Sequence, residues 1–156
     1  MGTAGSGKTT IGKLLAAQMK WEFADGDSFH SPANIEKMSR GIPLTDDDRA
    51  PWLNSIREAI VQWDAQQKNV VLACSALKQI YRDRLLVNSN VKLVYLKGTY
   101  ELLSERLHFR KGHYATEQLL VSQFADLEEP TDAITVDVTP SAEEIVGEIR
   151  TKLALT

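Results

Sequence analysis

The sequence predicts an α/β domain in which a parallel sheet is covered by helices on both faces. Three observations predict it. A glycine-rich loop, Gly2 to Thr9, runs directly into an amphipathic helix. Short apolar runs of strand length then alternate with longer stretches of helical period. The 156 residues fit one domain, spanning 1–156.

Taken in order, residues 8 to 19 form the first expected helix, with Ile11, Leu14, Leu15 and Met19 at helical spacing. Residues 21 to 25 follow as a short strand that ends in Asp25-Gly26-Asp27. Ser31-Pro32 starts a helix, since serine caps and proline suits the first helical position; that helix ends near Gly41. A longer helix spans about 46 to 67, its acidic start Asp46-Asp47-Asp48 matching the positive end of the helix dipole. The apolar runs at 70–74 and 91–96 read as strands buried on both faces. Helices are expected at 78–87, 100–110 and 116–127, and a strand at 134–138. The last helix opens with a capping-box pattern, Ser141-Ala142-Glu143-Glu144.

Composition excludes several classes. Hydrophobic residues at 43% and charged residues at 25% are those of a globular chain able to hold a core. A net charge of -3 argues against a nucleic-acid partner, which requires a basic face. No apolar stretch approaches the ~18 residues of a membrane span, so no membrane partner is expected. The lone Cys74 cannot form an intrachain disulfide and reads as a buried thiol. With no signal segment at the start, a reducing cytoplasm is the expected location.

Gly2-Thr3-Ala4-Gly5-Ser6-Gly7-Lys8-Thr9 matches G-x-x-x-x-G-K-[ST] in full. The glycines let backbone N–H groups turn towards phosphate oxygens, and the helix that follows points its positive end at the same anion. Lys8 is expected on the β- and γ-phosphates and the Thr9 hydroxyl on Mg²⁺, with Thr10 beside it. ATP and Mg²⁺ are therefore the expected cofactors. Carboxylates near the metal come from Asp25 and Asp27, because Ser75-Ala76-Leu77 after the third strand position offers none. One of the two would serve the metal and the other the acceptor substrate; a plain polar turn around Gly26 is the bland alternative.

His30 follows closely enough to line the same pocket. Arg49 is a candidate partner for an anionic acceptor, as is one arginine of Tyr81-Arg82-Asp83-Arg84. Arg106, Arg110, Lys111 and His113 cluster around the break at Gly112. That pattern reads as a mobile lid, roughly 108–118, whose arginines close over the transferring phosphoryl group. An exposed basic helix end is the alternative.

Longer runs carry a resemblance. These are Asp25-Gly26-Asp27-x-x-His30, the segment Gly41 to Leu53, Ala73 to Lys78, Arg110-Lys111-Gly112-His113 and Gln123-Phe124-x-x-Leu127-Glu128. Together they resemble the gluconate kinases over almost the whole chain, Gly41 to Leu53 being the most specific part. The resemblance implies a three-layer, nucleoside-monophosphate-kinase-like P-loop fold with a lid, and ATP-dependent phosphorylation of D-gluconate to 6-phospho-D-gluconate. On it, Lys8, Asp27 and Arg110 are the candidate catalytic residues. Gly2, Thr3, Ala4, Gly5, Ser6, Gly7, Lys8, Thr9, Thr10, Arg106 and Arg110 would hold ATP, and Thr9 and Asp25 the metal. Asp27, His30, Arg49 and Arg82 would bind gluconate. The partner is a small molecule, and a homodimer is open. A shikimate or nucleoside monophosphate kinase, or a non-catalytic nucleotide-binding module, are the competing readings.

A phosphate loop normally connects a buried strand to a helix. Here Met1 directly precedes Gly2. The expectation is that this strand lies upstream of the present chain, and that without it the sheet has a gap and the loop lacks an anchor.

Overall fold

The computed structural model describes residues 1–109 and 113–156, with side chains described for 1–109 and 117–156. Helices α1 (Lys8–Met19), α2 (Pro32–Ser39) and α3 (Asp46–Ala65) are interleaved with strand β1 (Glu22–Asp25) and a 3-10 turn (Gly26–Phe29). Then come β2 (Val70–Ala73), α4 (Gln79–Leu85), β3 (Val94–Lys97), α5 (Tyr100–His108), α6 (His113–Asp126), β4 (Ile134–Asp137) and α7 (Ala142–Lys152).

Local chemistry sets most boundaries. The Ser31 hydroxyl accepts from Asn34 N with Pro32 in the first turn of α2, and Ser141 with Glu144 forms the expected capping box of α7. Thr45 and Asp48 form a second capping box at α3: Asp48 N donates to Thr45 Oγ1 (3.1 Å) and Thr45 N to Asp48 Oδ2 (2.9 Å). Part of the acidic run is thus a cap.

The strands pair in parallel, as expected of alternating strands and helices, but in two pairs rather than one ladder. β1 runs beside β2, with Glu22 opposite Val70 and Asp25 opposite Ala73. β3 runs beside β4, with Val94 opposite Ile134 and Lys97 opposite Asp137. Met1 and Gly2 stand between the pairs. The Met1 amine donates to Val94 O (2.5 Å), Leu96 N donates to Met1 O (2.9 Å), and Gly2 N donates to Ser75 O (3.3 Å). The phosphate loop is therefore tied to both pairs. Among the described residues β2 pairs only with β1, and Val70, Val71 and Leu72 are half-buried instead of buried on both faces.

Two apolar cores result. One packs Ile11 and Leu15 of α1 with Leu103 and Leu107 of α5 and with Val146 and Ile149 of α7. The other packs Trp52, Leu53 and Ile56 of α3 with Tyr81 and Leu85 of α4. Cys74 is buried in the second core, where burial pushes its thiol up to about 11. The C-terminal ends of β1 and β2 open between the cores beside the phosphate loop, the place where parallel α/β sheets bind ligands.

Candidate active site

A cleft of about 750 Å³ lies there. Ala4, Gly5, Gly7, Lys8, Thr9 and Thr10 form one wall; Asp25, Asp27, His30, Arg49 and Trp52 form another. Gly2, Thr3 and Ser6 are buried behind the first wall.

The phosphate loop is built for an anion. Gly7 occupies the N-cap of α1 at φ 96°, a left-handed conformation that side chains disfavour, and no side chain caps the helix. Among the described residues no side chain therefore caps the N–H groups that open α1. The Ser6 hydroxyl is buried without a hydrogen-bond partner among the described residues. Lys8 Nζ donates to Thr3 O (3.0 Å), which holds the ammonium across the loop. A helix start without a side-chain cap and an ammonium on one cleft, with the Ser6 hydroxyl buried behind them, fit a polyphosphate.

The acidic turn faces this loop. Asp25 Oδ1 accepts from Asp27 N (2.9 Å), so Asp25 caps the 3-10 turn. From α3, Trp52 Nε1 donates to Gly26 O (2.7 Å) and pins the turn. Burial, then the neighbouring Asp25 charge, raises the Asp27 carboxyl above its ordinary 3.8, with Lys8 opposing. Among the described residues no group of three or more His, Cys, Asp or Glu could hold a metal on its own. Thr9 and Asp25 nevertheless share the cleft, and one hydroxyl plus one carboxylate suits a hard cation that shares phosphate oxygens.

On the acceptor side, His30 is 9% exposed and stacks on Trp52, ring centroids 4.3 Å apart and planes 10° apart. Burial, and secondarily Arg49, lowers its pKa from 6.5 to about 4, so the ring is neutral at physiological pH. The Arg49 side chain is 12% exposed; it donates to Tyr81 OH (2.9 Å) and to Asp126 Oδ2 (3.3 Å). Tyr81 OH in turn donates to Asp46, which also accepts from Lys78 Nζ (3.0 Å). Sequence reasoning missed Tyr81, Asp126 and Gln123. Gln123 Oε1 accepts from Ala4 N (2.6 Å), tying α6 to the phosphate loop.

Two expected positions lie away from the cleft lining. Arg82 is 2% exposed and does not line the cleft. Its guanidinium donates to Ala76 O and Leu77 O (both 2.9 Å), to Glu128 O (2.8 Å) and to Gln79 Oε1 (3.1 Å), so it braces the segment behind the site. Those four bonds engage both terminal nitrogens of the buried guanidinium. Its neighbour Arg84 extends to Asn54 on α3. Arg106 donates to Val138 O (2.5 Å) after β4 and is also off the cleft. Arg110, Lys111 and Gly112 lie outside the described residues, as does the centre of the expected lid. Its flanks are clasped: Glu117 of α6 accepts from Ser104 Oγ (3.2 Å) and lies 3.3 Å from His108 Nε2.

Comparison with known proteins places this geometry in context. The shikimate kinase family model matches residues 4–154. The thermoresistant gluconokinase of Escherichia coli (strain K12) is 43% identical over 152 residues, covering 94% of this chain and 87% of that protein. The crystal structure of a gluconokinase from Sinorhizobium meliloti 1021 is 43% identical with a TM-score of 0.89, covering 99% of this chain and 89% of that one. An unliganded sugar kinase from Janibacter sp. HTCC2649 is 41% identical with a TM-score of 0.91, covering 100% of this chain and 92% of that one.

Proposed function

This chain belongs to the gluconokinase family of P-loop kinases, and from that premise we propose that it transfers the γ-phosphoryl group of ATP to the primary hydroxyl of D-gluconate, giving 6-phospho-D-gluconate. The observation that carries the reading is a single cleft in which the phosphate loop, Asp27 and the His30–Arg49 wall converge. A phosphate donor and a hydroxylated carboxylate find complementary groups side by side in that cleft.

The roles follow from the chemistry of each group. The N–H groups opening α1, with Lys8, would hold the phosphates of ATP. Thr9 and, through water, Asp25 would hold Mg²⁺, which when bound neutralises the phosphate charge. Asp27 orients the acceptor hydroxyl and takes its proton. Burial and the neighbouring Asp25 charge raise its pKa, which makes it a stronger base than an ordinary aspartate. Arg49 meets the carboxylate at the other end of the substrate. Its guanidinium has five N–H donors, and the two bonds to Tyr81 and Asp126 leave others for a ligand. Arg110 is the candidate that stabilises charge on the transferring group. Most of the acceleration would come from positioning and electrostatics.

The match to the shikimate kinase model favours one second reading, a kinase of that other hydroxylated carboxylate. ADP release measured with Mg·ATP and gluconate, shikimate, AMP or glycerate separates them. Gluconate should give the highest kcat/KM; a faster rate with shikimate or AMP would overturn the assignment.

A further inference from the structure

We propose that Asn34 is a positioning residue that fixes His30 as the neutral Nε2–H tautomer, so that the ring presents one hydrogen-bond donor to an oxygen of the acceptor substrate. This rests on the kinase reading above for the identity of the substrate, though not for the tautomer.

Asn34 is 5% exposed, in the first turn of α2, where its backbone N–H is held by the Ser31 hydroxyl (3.2 Å). Its side-chain Nδ2 donates to Asp48 O (2.8 Å) on α3. A backbone carbonyl can only accept, so this contact settles which end of the amide is the nitrogen. The same Nδ2 lies 3.3 Å from His30 Nδ1. Two donors cannot face each other, so Nδ1 carries no proton and accepts. In a neutral imidazole the proton then sits on Nε2.

The ring is held on other sides too. Trp52 stacks on its face, and Trp52 is itself fixed by its bond to Gly26 O. His30 N donates to Asp27 O (3.2 Å), coupling the ring's backbone to the catalytic turn. Nε2 has no hydrogen-bond partner among the described residues, and His30 lines the cleft. The charged group acting on the ring is Arg49 on α3, while Asn34 links the ring to the backbone of Asp48, which is itself paired with Lys37. The result is a neutral donor beside a cationic one: Arg49 suits a carboxylate, whereas a neutral N–H suits a hydroxyl oxygen without requiring a charge. Such a pair selects substrates that carry a hydroxyl acceptor near the carboxylate, and disfavours a simple anion.

The test joins a spectroscopic and a kinetic measurement. Ring-nitrogen NMR of the full chain, without any substrate, should show His30 at neutral pH with an unprotonated Nδ1 and a protonated Nε2. Asn34→Asp should move a proton onto Nδ1, because a carboxylate there can only accept. A protonated Nδ1 in the unsubstituted protein, or an unchanged ring in Asn34→Asp, overturns the proposal. Should Asn34→Asp fail to fold, His30 variants decide. His30→Gln places an amide N–H near the position of Nε2 and should keep the gluconate KM within a few-fold. His30→Leu should raise it by roughly tenfold, the size of one neutral hydrogen bond, with the ATP KM unchanged. Equal KM values for the two variants contradict the donor role. If no variant and no unsubstituted protein phosphorylates gluconate, the functional reading fails while the NMR result still decides the tautomer.

Discussion

Gly26→Ala is the substitution for which the structure fixes both a stability cost and a catalytic one. Gly26 sits between Asp25 and Asp27, in direct contact with the end of β2. A Cβ there would stand 2.8 Å from Ala73 O and 3.3 Å from Cys74 Cβ. The first is backbone held in the β1–β2 pair, so it cannot swing aside as a side chain could. Either the acidic turn or the strand must move. Overpacking of this kind costs about 1–3 kcal/mol. For a domain of this size each kcal/mol lowers Tm by about 2–4 °C, so the melting point should fall by about 2–12 °C. The catalytic effect should be larger, because Asp27 rides on the displaced turn and a shift near 1 Å can cost about 10²-fold in rate. Gly147→Ala is the control. It lies within α7 with nothing within 4 Å of the added Cβ, and should gain about 0.5–1 kcal/mol from helix propensity without touching activity. The assays are thermal melting and steady-state kinetics. A Gly26→Ala enzyme with unsubstituted kcat would refute the claim that the turn positions Asp27 within tight limits.

Other expectations follow from the same geometry. Lys8→Ala should lower kcat by about 10²–10³-fold while the far-UV circular dichroism spectrum is retained, since the lost group acts on phosphate charge. Asp27→Asn should lose activity to a similar degree yet melt higher at pH 7. The folded protein raises this carboxyl above 3.8, so the native state binds its proton more tightly and stability falls as pH rises through that window. Asparagine removes the penalty, and the gain should shrink as pH falls towards 3.8; an Asp27→Asn protein that melts lower at neutral pH contradicts the burial argument. Arg49→Lys should raise the gluconate KM by roughly 10- to 100-fold with the ATP KM unchanged, because an ammonium cannot serve Tyr81, Asp126 and a carboxylate together.

Some of this was legible in the sequence because the chemistry demands particular residues at fixed spacing. The phosphate loop, the Asp25–Asp27 turn and the capped starts at Ser31 and Ser141 are of that kind. What was not legible depends on side-chain partners far apart in the chain. Tyr81 and Arg82 are adjacent on α4, about 100° apart around the helix. Only packing shows that the tyrosine reaches Arg49 while the arginine turns onto the carbonyls of residues 76, 77 and 128. Gln123 and Asp126, one turn apart on α6, find partners 119 and 77 residues away. Strand β3 starts at Val94, later than the apolar run at Val91 suggests. Val91 packs instead against the α3–α4 core after a turn in which its N–H donates to Asn88 O (3.3 Å). Apolarity alone cannot distinguish these two kinds of burial. The division into two strand pairs likewise lies in hydrogen bonding, which apolar patterning does not report.

The central claim is phosphoryl transfer from ATP to the primary hydroxyl of gluconate, and product identity tests it most directly. The full chain would be incubated with Mg·ATP and equal concentrations of gluconate, shikimate and AMP in one tube, and the products followed by proton-coupled ³¹P NMR. The account predicts one dominant new phosphate ester, its signal split by the two protons of a single CH₂ group, as in 6-phosphogluconate. A dominant ester on a secondary carbon, phosphorylation of AMP, or ADP formed with no sugar-acid ester would contradict it.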